Sequence, residues 1–242
     1  MTRLSINVNK IALIRNSRGS NFPDLTGFIE NLLALGVVGI TAHPRPDQRH
    51  VKDDDIYIIS KIIERYPNVE LNVEGFPDRR FINLIKDVNP AQCTLVPDSP
   101  TQLTSDHGWD LRDSFILESA ILDLRSSSTR IALLIEPNKE DVLLAKEFNV
   151  DAVEIYTENY ASKAKENEAN LALQAIANAC NVAKREEMIV NAGHDLNLNN
   201  LDQLLRTCSI HEVSIGHAFT VECIHHGLNN VVSKYLEICR KY

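Results

Sequence analysis

The chain has 242 residues, 44% hydrophobic and 24% charged, with a formal net charge of −8. It is long enough to bury a large core and too acidic for a general binder of nucleic acid or anionic membrane, so any anion site has to be local. Five cysteines (93, 180, 208, 223, 239) without CxxC spacing fit free thiols in a reducing compartment. With no apolar run near about 18 residues and no signal-peptide core, they point to a soluble, cytoplasmic protein.

In chain order, apolar runs predict strands at 3–9, 36–43, 69–75, 91–98, 129–137, 151–157, 187–193 and 211–217. Helix-period segments fall between them at 23–36, 53–67, 78–90, 110–125, 138–150, 167–187 and 200–207. Asp53, Asp54 and Asp55 place negative charge where a helix N-terminus favours it. A last amphipathic helix is expected over 220–242, with Val221, Ile224, Leu228, Val231, Tyr235 and Cys239 on one stripe. Eight strand–helix units without a linker or composition break predict one (β/α)8 TIM barrel domain over 1–242. A doubly wound sheet is the alternative. Segment 99–115, between the fourth strand and its helix, is longer than an ordinary βα loop.

Strand parity then sorts the polar residues, because successive side chains face opposite sides. Helices should cover the apolar side, which turns Asn7, Asn9, His43, Glu70, Asn72, Glu74 and Glu154 into the lumen. Most of them stand near C-terminal strand ends, where barrels carry their chemistry. A lone buried acid is often a structural ion pair. Two acids, two asparagines and a histidine converging from four strands favour a site. Depth separates Glu70 from Glu74: four residues at about 3.3 Å each put them roughly 13 Å apart, and only Glu74 is level with His43.

Glycine–histidine pairs end two further strands, Gly193-His194 and Gly216-His217. The loops after strands seven and eight are the usual phosphate site of a barrel. Lys10, Arg15 and Arg18 follow the first strand, and Arg45, Arg49 and His50 follow the second. Two cationic clusters suit two phosphorylated ligands, with a solvated surface as the bland alternative for Arg15 and Arg49. Two other readings stay open. One is a metal-dependent barrel hydrolase or isomerase using His43, His50, His194 and His217 with Glu74, and the other is a non-catalytic phosphate-ligand-binding barrel.

The motifs INVNKIALIRNSRG, GITAHPRPDQRHV, NVEG, TLVPD, QLTS, VEIYTENYA, VNAGHDL and SIGHA run through the whole chain. In this order and spacing the sequence resembles the pyridoxine 5'-phosphate synthase family. The resemblance implies a barrel with extra helices that support homo-oligomers, typically octamers. It implies condensation of 1-deoxy-D-xylulose 5-phosphate with 3-amino-1-hydroxyacetone 1-phosphate to pyridoxine 5'-phosphate, phosphate and water, with no metal and no organic cofactor. His43 and Glu74 match the family's acid/base residues, His194 its proton donor and Glu154 its charge-stabilising carboxylate. Asn7, Arg18, Asp195, Gly216 and His217 match the amino-ketone phosphate site. Asn9, Lys10, Arg45, His50 and Thr104 match the deoxyxylulose phosphate site. The chain departs from the commoner pattern at Asn9, Lys10 and Asp195, where Asp, His and Gly are usual.

Overall fold

The computed structural model describes residues 1–99, 102, 104–112, 114–163 and 169–242. Its elements run β1 (Arg3–Asn7), α1 (Asn9–Asn16), α2 (Leu25–Ala34), β2 (Gly39–Ala42), α3 (Asp53–Ile63), β3 (Glu70–Gly75) and α4 (Arg79–Val88). They continue with β4 (Gln92–Leu95), α5 (Phe115–Leu124), β5 (Arg130–Ile135), α6 (Lys139–Glu147), β6 (Ala152–Tyr156), α7 (Glu158–Lys163) and α8 (Ala169–Arg185). The chain ends with β7 (Ile189–Gly193), α9 (Leu201–Thr207), β8 (Glu212–Ile215), α10 (His217–His226) and α11 (Leu228–Arg240). All eight strands are parallel, and β1 pairs with β8, which closes the barrel and excludes the open doubly wound sheet.

Alternation explains why the sheet closes this way. Leu4, Ile6, Ile40, Val73, Leu133, Ile155 and Val213 face the helices and are at most 1% exposed. The opposite side is mostly polar, with Ala132, Leu134 and Ala152 as exceptions, unlike the branched aliphatic layers that usually fill such barrels. Ser5 and Thr41 share a hydrogen bond of 2.7 Å, Thr94 donates to Asn72 at 3.0 Å, and Asn191 of β7 crosses the lumen to Gln92 of β4 at 3.1 Å. At the N-terminal mouth Arg3 and Arg130 meet Glu70, and Arg3 also meets Glu212. These buried polar side chains thus find in one another partners that an apolar lumen would deny them.

Three features differ from the sequence reading. The turn into α1 comes at once after β1, so Asn9 opens a helix and does not end a strand. The segment 158–163 is also helical, as α7. The C-terminal segment is two helices: Gly227, at φ 79°, breaks it in a conformation few side chains tolerate. Val231, Tyr235 and Cys239 of α11 are buried as the stripe requires, but Val221 and Ile224 of α10 are 38% and 73% exposed. Parts of the expected loop 99–115 and helix 167–187, at residues 100, 101, 103, 113, 167 and 168, lie outside the described residues.

Candidate active site

At the C-terminal mouth of the barrel opens a cavity of about 760 Å³. Asn7, Asn9, Lys10, His43, Arg45, His50, Glu74, Thr104, Glu154, His194, Asp195, Gly216 and His217 all line it. Of the residues singled out above for binding or chemistry, Arg18 is exposed and stays outside this lining. Arg15 is elsewhere too: it is buried in a two-pronged ion pair with Asp55, 2.7 Å at each prong, and ties α1 to α3.

Two imidazole–carboxylate pairs form the floor. His43 follows β2 and places Nδ1 3.8 Å from Glu74 Oε2 of β3. His194 follows β7 and places Nδ1 3.9 Å from Glu154 Oε1 of β6. Burial lowers the His43 pKa well below the imidazole range, helped by the charges of Arg45, His50, His194 and Arg49. Burial raises Glu74 well above the carboxylate range, and repulsion from Glu154 and Asp98 adds to it, against Arg45. Burial and the Glu212 charge bring Glu154 up to about 7, while the Thr94 hydroxyl works against them. His194 is lowered by burial, which Asp98 and Asp195 partly oppose. These opposed shifts favour neutral imidazoles and let the acids hold their protons to higher pH than ordinary carboxylates do.

Local backbone explains the placement of His194. His194 and Asp195 both adopt left-handed conformations, at φ 82° and 57°, of the kind that gathers at functional sites. The Thr157 hydroxyl lies 2.6 Å from the carbonyls of both Gly193 and His194. A Cβ on Gly193 would sit 2.4 Å from Glu154 Oε1, so this glycine makes room for the carboxylate. The His194 ring packs on Tyr156 with centroids 4.8 Å apart.

The cationic wall comes from α1 and the segment after β2. Burial and the charges of Arg49 and Arg45 lower the pKa of Lys10. Burial, with Lys10, Arg49 and Arg45 around it, brings His50 down to about 4. Asn16 Nδ2 donates to the carbonyls of Arg49 and His50 at 3.0 and 2.6 Å, which holds this segment against α1. Arg45 is tied to Asp98 and to the Gln102 carbonyl, and Arg49 donates to the same carbonyl at 2.7 Å. Ser105 also donates to Asp98 at 2.7 Å. Sequence reading missed Asp98 and Ser105, because only the fold brings the segment after β4 back over β2, and it missed Tyr156 although this residue shares the lumen parity of Glu154 on β6. Opposite, Gly216, His217 and Ala218 line the cavity where α10 begins, and no side chain caps that helix start. Among the described residues, no three His, Cys, Asp or Glu side chains form a metal-holding group.

Comparison with known proteins agrees with this architecture. A pyridoxine 5'-phosphate synthase of Parabacteroides distasonis is 39% identical over 237 residues, covering 97% of this chain and 98% of its own. One from Cytophaga hutchinsonii is 40% identical over 244 residues, covering all of both chains. Among solved structures, the tryptophan synthase alpha-subunit of Pyrococcus furiosus superposes with a TM-score of 0.66 at 14% identity, covering 100% of this chain and 98% of that one, a likeness of fold alone. The family model described as "Pyridoxal phosphate biosynthesis protein PdxJ" matches residues 4–241, and the chain belongs to that family.

Proposed function

We propose that the protein carries out the pyridoxine 5'-phosphate synthase reaction. It would join 1-deoxy-D-xylulose 5-phosphate to 3-amino-1-hydroxyacetone 1-phosphate and release phosphate and water, as a ring-forming transferase of the cytoplasm. The observation that carries this reading is the two buried imidazole–carboxyl pairs, His43 with Glu74 and His194 with Glu154, beneath two separate anion-friendly walls. Joining an amine to a ketone, expelling phosphate and closing an aromatic ring needs repeated proton transfers. A neutral histidine takes protons near pH 7, and a glutamate with a raised pKa gives them.

In this reading His43 is the base and Glu74 its acid partner, His194 returns a proton on the far side, and Glu154 balances cationic intermediates. Lys10, Arg45, His50 and Thr104 hold the ketose phosphate. Asn7, Asp195, Gly216 and His217 hold the amino-ketone phosphate, whose charge suits the free N–H groups at the start of α10. Holding both reactants in one cavity removes much of the entropic part of the barrier. The working form is a homo-oligomer, an octamer on the family's pattern.

The test mixes both phosphorylated substrates with pure protein and a strong chelator, and follows pyridoxine 5'-phosphate and free phosphate. Equal formation of the two supports the reading. Turnover only after a divalent ion is restored would favour the metal-dependent hydrolase or isomerase, and binding without turnover would favour a ligand-binding barrel.

A further inference from the structure

The last backbone rung between β1 and β2 is the Val8 N–H on the Thr41 carbonyl, at 3.0 Å. There the chain turns away into α1, and a side chain takes over the pairing. The Asn9 carboxamide accepts from the His43 N–H through Oδ1 at 2.9 Å and donates through Nδ2 to the His43 carbonyl at 3.4 Å. It thereby engages both backbone groups of His43, as the next residue of a strand would, and shares the carbonyl with the Arg45 N–H at 3.0 Å. The Asn9 N–H is itself held by Asn7 Oδ1 at 3.0 Å, and Asn7 Nδ2 reaches Glu74 Oε2 at 3.5 Å. Since His43 Nδ1 stands 3.8 Å from the same oxygen, the four residues close a ring.

We propose that Asn9 is a positioning residue, which fixes the His43 backbone against Glu74, and that it is not a ligand of the ketose phosphate. The proposal rests on the acid/base role given to His43 above. Asparagine suits the task because one planar group offers an acceptor and a donor side by side. Aspartate keeps only the acceptor, and alanine keeps neither. Asn9 and His43 are 9% and 4% exposed, so little solvent reaches them to replace a lost bond. Small displacements of a proton-transfer group are costly in rate, because its geometry has to match the reacting atoms closely.

The experiment compares Asn9→Ala and Asn9→Asp with the unaltered chain, each checked for folding by its thermal melt. Four quantities are read: kcat and KM for the ketose phosphate, its Kd alone by calorimetry, and the His43 ring signals by nitrogen-15 NMR. In Asn9→Ala, kcat is expected to fall about tenfold or more, with KM and Kd within about twofold and the ring signals shifted. Asn9→Asp should recover part of kcat, since it keeps the acceptor for the His43 N–H. If Asn9→Ala does not fold, Asn9→Asp makes the same comparison with the donor alone removed. A roughly tenfold weaker Kd with kcat retained, or unmoved His43 signals, overturns the proposal. If the unaltered chain forms no pyridoxine 5'-phosphate, the functional reading fails, while the Kd and the His43 signals still decide this one.

Discussion

His43 Nδ1 and Glu74 Oε2 stand 3.8 Å apart with only 5% and 9% of their side chains exposed, and burial moves their pKa values in opposite directions. A carboxyl that holds its proton beyond the usual range, beside an imidazole that resists taking one, is a pair suited to passing protons. Glu74→Gln keeps the shape and the burial but removes the titrating proton. Turnover is expected to fall by about a hundredfold or more, with the melt unchanged or raised. A variant that still turns over would place the acid elsewhere.

Glu70, four residues earlier on the same strand, gives the contrasting case. It sits at the other mouth, bonded to Arg130 and 3.8 Å from Arg3. Burial pushes its pKa up, but the bond to Arg130 and the charges of Arg130 and Arg3 more than offset this, and the net shift is down. Such a carboxylate stabilises the fold above its unfolded pKa, and that contribution is lost as pH falls through the folded value. Glu70→Gln should therefore cost about 1 kcal/mol at pH 7, vanishing below the ordinary carboxylate range, with kcat little changed. Denaturant melts at pH 7 and pH 3 check it.

His194 is expected to act in the chemistry and not in binding. It ends β7 in a left-handed conformation, with Nδ1 3.9 Å from Glu154 Oε1. His194→Asn is the apt variant, because asparagine tolerates this backbone better than most residues. Turnover should drop roughly a hundredfold while the Kd of each substrate stays near normal. Normal turnover in a folded variant would remove His194 from the mechanism.

How much of this was legible beforehand depends on how local each signal is. The barrel follows from strand and helix periods, and parity alone turned Glu74, Glu154 and Asn7 inward, since two-residue alternation is rigid. At Asn9 parity assumed a strand that had already turned into α1, although the side chain still lines the cavity. Whether a cation faces ligand or protein depends on partners far off in sequence. Arg15 finds Asp55 forty residues on, and Arg45 finds Asp98 fifty-three residues on. The 220–242 stripe ran through Gly227 because periodicity does not register a single positive φ.

Arg15 yields a stability prediction from that same pairing. Its guanidinium and the Asp55 carboxylate are each about 10% exposed, and both prongs measure 2.7 Å. Asp55 Oδ2 also accepts the Lys52 N–H at 2.8 Å, so the pair anchors the start of α3. Arg15→Ala leaves a buried carboxylate without its cation, which costs about 3–5 kcal/mol. Substrate KM in the surviving folded fraction should stay within about twofold, as Arg15 does not line the cavity. A large rise in KM without loss of stability would instead place Arg15 on a phosphate.

Glu154 links activity to stability with a definite sign. It is 2% exposed, and burial together with repulsion from Glu212 raises its pKa to about 7. A carboxyl raised in the folded state favours folding fully below its unfolded pKa, and this is lost as pH climbs through about 7. Above that point the fold has to hold a buried anion whose near neighbours include another acid. Glu154→Gln cannot ionise and escapes this cost. The variant should lose turnover yet gain stability over the unaltered chain between pH 5 and pH 8, by on the order of 1–3 kcal/mol. Urea unfolding at the two pH values measures the difference directly. An equal effect of the substitution at both would mean that Glu154 does not titrate in this range, and that its charge is held by partners other than those around it here.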